Sequence, residues 1–189
     1  MSKFQSSIKA LRLTLISCLL LATPLLYAQH SHSDAASPTN STLIQDVRQG
    51  TKQFINVNNA TAAGYGPFLG CVTGTDHGAM GIHYVNGTVL GGNTLNPATP
   101  TALIYEPQAN GALRLVGVEF IVDAVTWLAA NNNTPPVLEG QVFNYVGAPN
   151  RFNINSFFEL HVWAWRDNPQ GSYVDWNNNV SCQGQQNPL

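Results

Sequence analysis

Two apolar, β-branched runs restrict what this chain can fold into: Val116-Gly117-Val118-Glu119-Phe120-Ile121-Val122 and Phe158-Glu159-Leu160-His161-Val162-Trp163. Segments of this kind pack as strands into a core. Each carries an ionisable side chain at its centre. A carboxylate or an imidazole in such a place is costly unless it is paired, hydrogen-bonded or bound to a metal. Only 10% of the residues are charged, so each inward-pointing acid needs a compensating partner.

The rest of the chain extends this β character. From Thr42, the residues Leu43, Val47, Phe54, Ile55 and Ala62 fall near one face at helical spacing. Thr42 and Gln45 are placed for a capping box, and Gly64-Tyr65-Gly66-Pro67 ends the helix. Strands are expected at Phe68–Thr73, Ala79–Val85, Ala102–Glu106, Ala112–Asp123, Val137–Tyr145 and Ser156–Arg166, with a short helix at Ala124–Ala130. Turn residues separate them, among them Asn86-Gly87, Asn110-Gly111 and Gly147-Ala148-Pro149-Asn150. One helical segment followed by consecutive strands predicts an α+β fold, with the helix on a curved antiparallel sheet. A closed β-barrel is the alternative.

The first 28 residues read as a secretory signal peptide. Lys3, Lys9 and Arg12 form a basic front, Leu13–Leu21 is almost wholly apolar, and Leu26-Tyr27-Ala28 suits cleavage. Residues 29–41 are a polar leader, and 42–189 form a single domain. After residue 28, five basic side chains face ten acids, a formal net charge of −5. That balance argues against nucleic acid and anionic membranes as partners, and no later apolar stretch is long enough to span a bilayer. The expected address is periplasmic or secreted. Cys71 and Cys182 remain as a lone pair, which an oxidising compartment converts to a disulfide.

Strand alternation sorts the candidate chemistry. Leu113, Leu115, Gly117, Glu119 and Ile121 share one face, as do Phe157, Glu159, His161, Trp163 and Trp165. Gly117 beside Glu119 leaves space that a ligand can fill. His83 lies beside Gly81 and Val85, and Glu106 ends the apolar run Leu103-Ile104-Tyr105. If these strands are neighbours, His83, Glu106, Glu119 and His161 converge as ligands for one divalent transition metal. Zinc or copper suits that set best, with iron or manganese next. Glu159, His77 and Asp76 are candidates to orient a ligating imidazole from outside. The competing reading is a structural protein of the envelope in which every one of these residues has a hydrogen-bonding role in the core, because a lone strand histidine is more often satisfied than ligating. The ligand types alone select no reaction.

A second class of function rests on Trp163, Trp165, Tyr173 and Trp176, which crowd beside Asn168 and Asn177–Asn179. Flat rings beside amides suit a sugar or a small aromatic ligand. Alternatively, the rings cap the sheet and cover the disulfide. The chain carries no nucleophile elbow, phosphate loop, dinucleotide fingerprint or His-Glu-x-x-His motif.

Met80-Gly81-Ile82-His83-Tyr84-Val85-Asn86, Leu103-Ile104-Tyr105-Glu106-Pro107, Leu113–Phe120 and Glu159-Leu160-His161-Val162-Trp163 together resemble a group of uncharacterised exported bacterial proteins. The likeness runs from about Ala60 to Cys182 and includes the Arg166-Asp167-Asn168-Pro169 turn and Trp176. It implies no activity, fold or ligand. It places His83, Glu106, Glu119 and His161 inside the shared motifs and leaves His77 and Asn131–Asn133 outside them.

Overall fold

The structure, a computed structural model, describes residues 41–185. The expected export segment and nearly all of the polar leader lie outside the described residues. Ser41 is the exception, and it belongs to the fold. Its hydroxyl accepts from the Ile44 backbone N–H at 3.2 Å and caps α1, Thr42–Thr51, so the cap falls one residue before the expected Thr42. A 3-10 turn, Lys52–Ile55, leads into α2, Val57–Ala62.

The long strands follow in the predicted places: β1 Tyr65–Thr73, β2 Ala79–Asn86, β3 Ala102–Pro107 and β4 Leu113–Asp123. Asn86-Gly87, expected as a turn, instead opens α3, Gly87–Gly92. The Asn86 side-chain oxygen accepts from the N–H groups of Thr88 and Val89, so the amide acts as a helix cap. Asp123 does the same for α4, Ala124–Ala130, accepting from Thr126 N–H at 2.8 Å. The single strand expected over Val137–Tyr145 is broken into β5 Val137–Leu138, β6 Gln141–Val142 and β7 Asn144–Val146. Glu139 and Gly140 both have positive φ (48° and 83°) and turn β5 back on β6. The last strand, β8, covers Phe157–Val162 and stops four residues before the expected Arg166.

Six strands make one antiparallel sheet in the order β1-β2-β3-β4-β8-β7, and β5-β6 is a separate hairpin. The main sheet is open: β1 and β7 are its edges, and no barrel closes. It is the curved antiparallel sheet of an α+β fold, as expected.

The helices cover one face. Leu43, Ile44, Val47 and Phe54 pack on Leu103, Tyr105, Val118, Phe120, Leu160 and Val162. Burying each of these large side chains stabilises by roughly 1.5–3 kcal/mol. The Tyr105 hydroxyl donates to Phe54 C=O at 2.6 Å and Arg48 Nε to Ala164 C=O at 2.6 Å, tying the helices to the sheet. Over the opposite face lies the loop after β8. A smaller core of Cys71, Ala79, Ile104, Val116, Trp163, Val180 and Cys182 holds it there. Cys71 and Cys182 form a disulfide with Cα atoms 5.6 Å apart, and Ala79 and Asn177 exchange both backbone hydrogen bonds at 3.2 Å.

Candidate metal centre

The ionisable groups of the two apolar runs meet on the face away from the helices. Glu119 on β4 and His161 on β8 are directly opposite each other in the register. His83 on β2 is one strand further over, with β3 between. β3 contributes two apolar side chains to this face, Ala102 opposite Glu119 and Ile104 opposite His83. His83 Nε2 reaches diagonally across them to within 3.3 Å of Glu119 Oε2. The rings of His83 and His161 stand perpendicular with centroids 5.7 Å apart. One donor atom from each of His83, Glu119 and His161 lies within 4.8 Å of the others. Atoms bound to one transition-metal ion at ~2.0–2.2 Å stand about 3–4 Å apart, so small side-chain rotations close this set on an ion.

A second group overlaps the first. Glu159, two residues before His161 on β8, and Asp175, on the loop that covers the sheet, also bring donor atoms within 4.8 Å of His161 and of each other. Asp175 Oδ1 is 3.6 Å from His161 Nδ1 and accepts from Asn144 Nδ2 at 3.1 Å. Glu159 and Glu119 share a hydrogen bond between their carboxyl groups.

Burial sets the protonation of the cluster. His161 has no solvent exposure, and neither ring nitrogen has a hydrogen-bond partner. Loss of water pushes the pKa of both imidazoles down to about 3; His83 is lowered further by His161 and raised slightly by a hydrogen bond with the Gly81 backbone. Both rings are thus neutral, the form that ligates a metal. Burial, then the neighbouring Glu159 and Asp175, holds Glu119 well above the ordinary carboxylate range. Burial raises Glu159 to about 7 and also raises Asp175. Among the described residues no Lys or Arg pairs with any of these acids.

His83, Glu119 and Glu159 line a cavity of about 40 Å³ under a rim of Phe68, Leu69, Phe152 and Ile154. A water needs roughly 10–15 Å³ on this measure, so an ion and one or two waters fit.

Two expected residues stand elsewhere. Glu106 is on the same sheet face but four residues along β3 from Ala102, roughly 13 Å at strand rise. Its carboxylate accepts from Ser181 N–H at 3.0 Å and holds the loop beside the disulfide. His77 is exposed in the β1–β2 loop next to Asp76, and neither joins a donor group. The space expected beside Gly117 is filled by protein: a Cβ there would stand 3.1 Å from Trp163. A register shift between Ile104 and Tyr105 breaks the alternation of β4, so that Leu115 packs under the helices while Glu119 faces the other way. Asp175 was missing from the sequence reading. It lies in a loop, where no strand periodicity assigns it a face.

The aromatic cluster is also dispersed. Trp163 stacks on His161, donates from Nε1 to Val174 C=O at 2.6 Å and packs with the disulfide. Trp165 turns to the helical side and donates to Thr51 Oγ1, while the Tyr173 hydroxyl hydrogen-bonds Ser41. Trp176 lies under the Arg151 guanidinium, 5.6 Å from its carbon. Among the described residues no helix is long and apolar enough to cross a membrane.

Comparison with protein-family models, curated proteins and solved structures found no match.

Proposed function

We propose that the protein binds one divalent transition-metal ion through His83, Glu119 and His161, with Glu159 and Asp175 as supporting carboxylates. The observation that carries this reading is His161: a fully buried imidazole with both nitrogens unpartnered. Buried polar atoms are nearly always satisfied; an ion on one ring nitrogen, with a neighbouring carboxylate drawn onto the N–H of the other, accounts for both orphans. The surroundings match what a ligating histidine requires. Asp175 faces His161 Nδ1, and the Gly81 backbone hydrogen-bonds the His83 ring; such partners fix the tautomer and the direction of the ring.

Two imidazoles and a carboxylate suit zinc or copper. Three protein donors leave a coordination position on the cavity side, the arrangement of ions that act as Lewis acids or activate a water. Charge balance favours the same reading. A dication neutralises Glu119 and one further carboxylate where no basic side chain does so.

Metal-stripped protein titrated with zinc by calorimetry tests the proposal. The expected result is saturable uptake of about one equivalent, with proton release as the carboxyl groups ionise. His161→Ala and Glu119→Gln each abolish it. If the cluster is only a hydrogen-bonded core, zinc produces no saturable heat, and both variants melt at the same temperature with and without the metal.

A further inference from the structure

Next to the 40 Å³ cavity lies a groove of about 450 Å³, and the two share Phe68, Val85, Ile121, Ile154 and Phe157. We propose that this groove admits an uncharged, largely apolar small molecule of aromatic or alkyl type, and that one oxygen of that molecule reaches the open position of the centre formed by His83, Glu119 and His161. The proposal rests on the metal reading and names the class of molecule that the site receives.

Four observations carry it. The volume falls within the ~300–1,000 Å³ of small-molecule sites. The shared wall is apolar, and Phe68, Leu69 and Ile154 at the rim are 40%, 43% and 38% exposed, three large apolar side chains gathered round one opening. The backbone is held in a costly form at the rim, where Leu69 has φ 60°. Left-handed backbone at a bulky residue costs about 1–3 kcal/mol and clusters where a chain must be aimed at a ligand. Finally, the charge of the walls selects the ligand. No Lys or Arg lines either space, and the ionisable groups are His83, Glu119, Glu159 and Asp123. Asp123 is already committed to capping α4. No basic side chain in these walls pairs with an anionic ligand, and the dication on the floor is already neutralised by Glu119 and one further carboxylate, whereas an apolar ligand gains by leaving water and its one oxygen is satisfied at the ion.

The probe is 2-naphthol, a flat apolar ring with one oxygen, titrated into cobalt-loaded and metal-free protein. Naphthalene-2-sulfonate serves as the anionic control. Saturable binding of about one 2-naphthol per chain is expected, with the sulfonate weaker by about tenfold or more. A change in the cobalt visible absorption places the oxygen at the ion. Phe68→Ala with Ile154→Ala weakens 2-naphthol binding by about tenfold or more and leaves cobalt uptake intact, since no metal donor is lost or added. Cobalt uptake without saturable 2-naphthol binding overturns the inference and spares the metal reading. Binding that leaves the cobalt spectrum and the double variant's affinity unchanged, or equal binding of the sulfonate, also overturns it. Binding of 2-naphthol with no cobalt uptake sinks the metal reading and, with it, the oxygen contact. A concentration-dependent dimer broken by the double variant assigns the rim to a second copy of the chain instead.

Discussion

Replacing the Glu159 carboxyl by an amide separates the cost of its charge from the packing of its atoms. Glu159 is raised from the ordinary value to about 7. Between those two values the folded state holds a proton that the unfolded chain has released, so this group's contribution to stability is lost as pH rises through that window. The histidines act in the opposite sense: with both lowered to about 3, the unfolded chain binds more protons below its ordinary histidine pKa, and stability is lost as pH falls from about 6.5 towards 3. Glu159→Gln in metal-free protein is therefore expected to gain about 2 kcal/mol at pH 8 and close to nothing at pH 4. Denaturant unfolding at the two pH values checks this. A gain of equal size at both would show that charge is not the cause. Glu119, His161 and His83 were legible because an ionisable residue inside an apolar run carries an energetic penalty that can be read without a structure. Asp175 was not, because an acid in a polar loop carries none. Glu106 shows the limit of the same logic: it occupies an equally apolar strand, yet a backbone N–H of the covering loop satisfies it.

At the scale of the strand, the centre depends on irregularities that hydrophobic patterning does not encode. Gly81 has φ 102°, and a Cβ there would stand 2.8 Å from Tyr105 C=O. Gly81→Ala is expected to destabilise by about 2–3 kcal/mol and to weaken zinc binding by moving His83. Gly87→Ala, where nothing lies within 4 Å, should stay within about 0.5 kcal/mol of the parent. Chemical unfolding and zinc titration of the pair measure both effects. The long strands and α4 were readable from apolar runs bounded by turn residues. What escaped were the register shift on β4 and the Glu139-Gly140 reversal. A bulge changes which face a residue takes without changing composition, and glutamate is a poor signal for left-handed backbone.

Across the molecule, the disulfide fastens the loop that supplies Asp175 to the first strand of the sheet. It bridges a separation of 111 residues. Cys71→Ser with Cys182→Ser is expected to lower stability by about 2–4 kcal/mol, less than the chain-entropy limit because the Ala79–Asn177 bridge and the Glu106–Ser181 bond remain. Thermal melts of the double variant, with and without zinc, read the loss. Zinc at about 100 times its dissociation constant restores roughly 2.7 kcal/mol. The α+β class followed from the order of elements. The convergence of donors did not, since it needs the strand order β2-β3-β4-β8 and a loop contact that no short motif reveals. The two margins of the sheet have one further effect. β7 is only three residues long. On β1, Pro67 lacks an N–H, Leu69 twists the backbone out of line, and the Cys71 N–H is taken by Gln185. Neither border of this sheet offers the straight ladder of free donors and acceptors on which fibrils grow, so adding a foreign strand to either side of it is disfavoured.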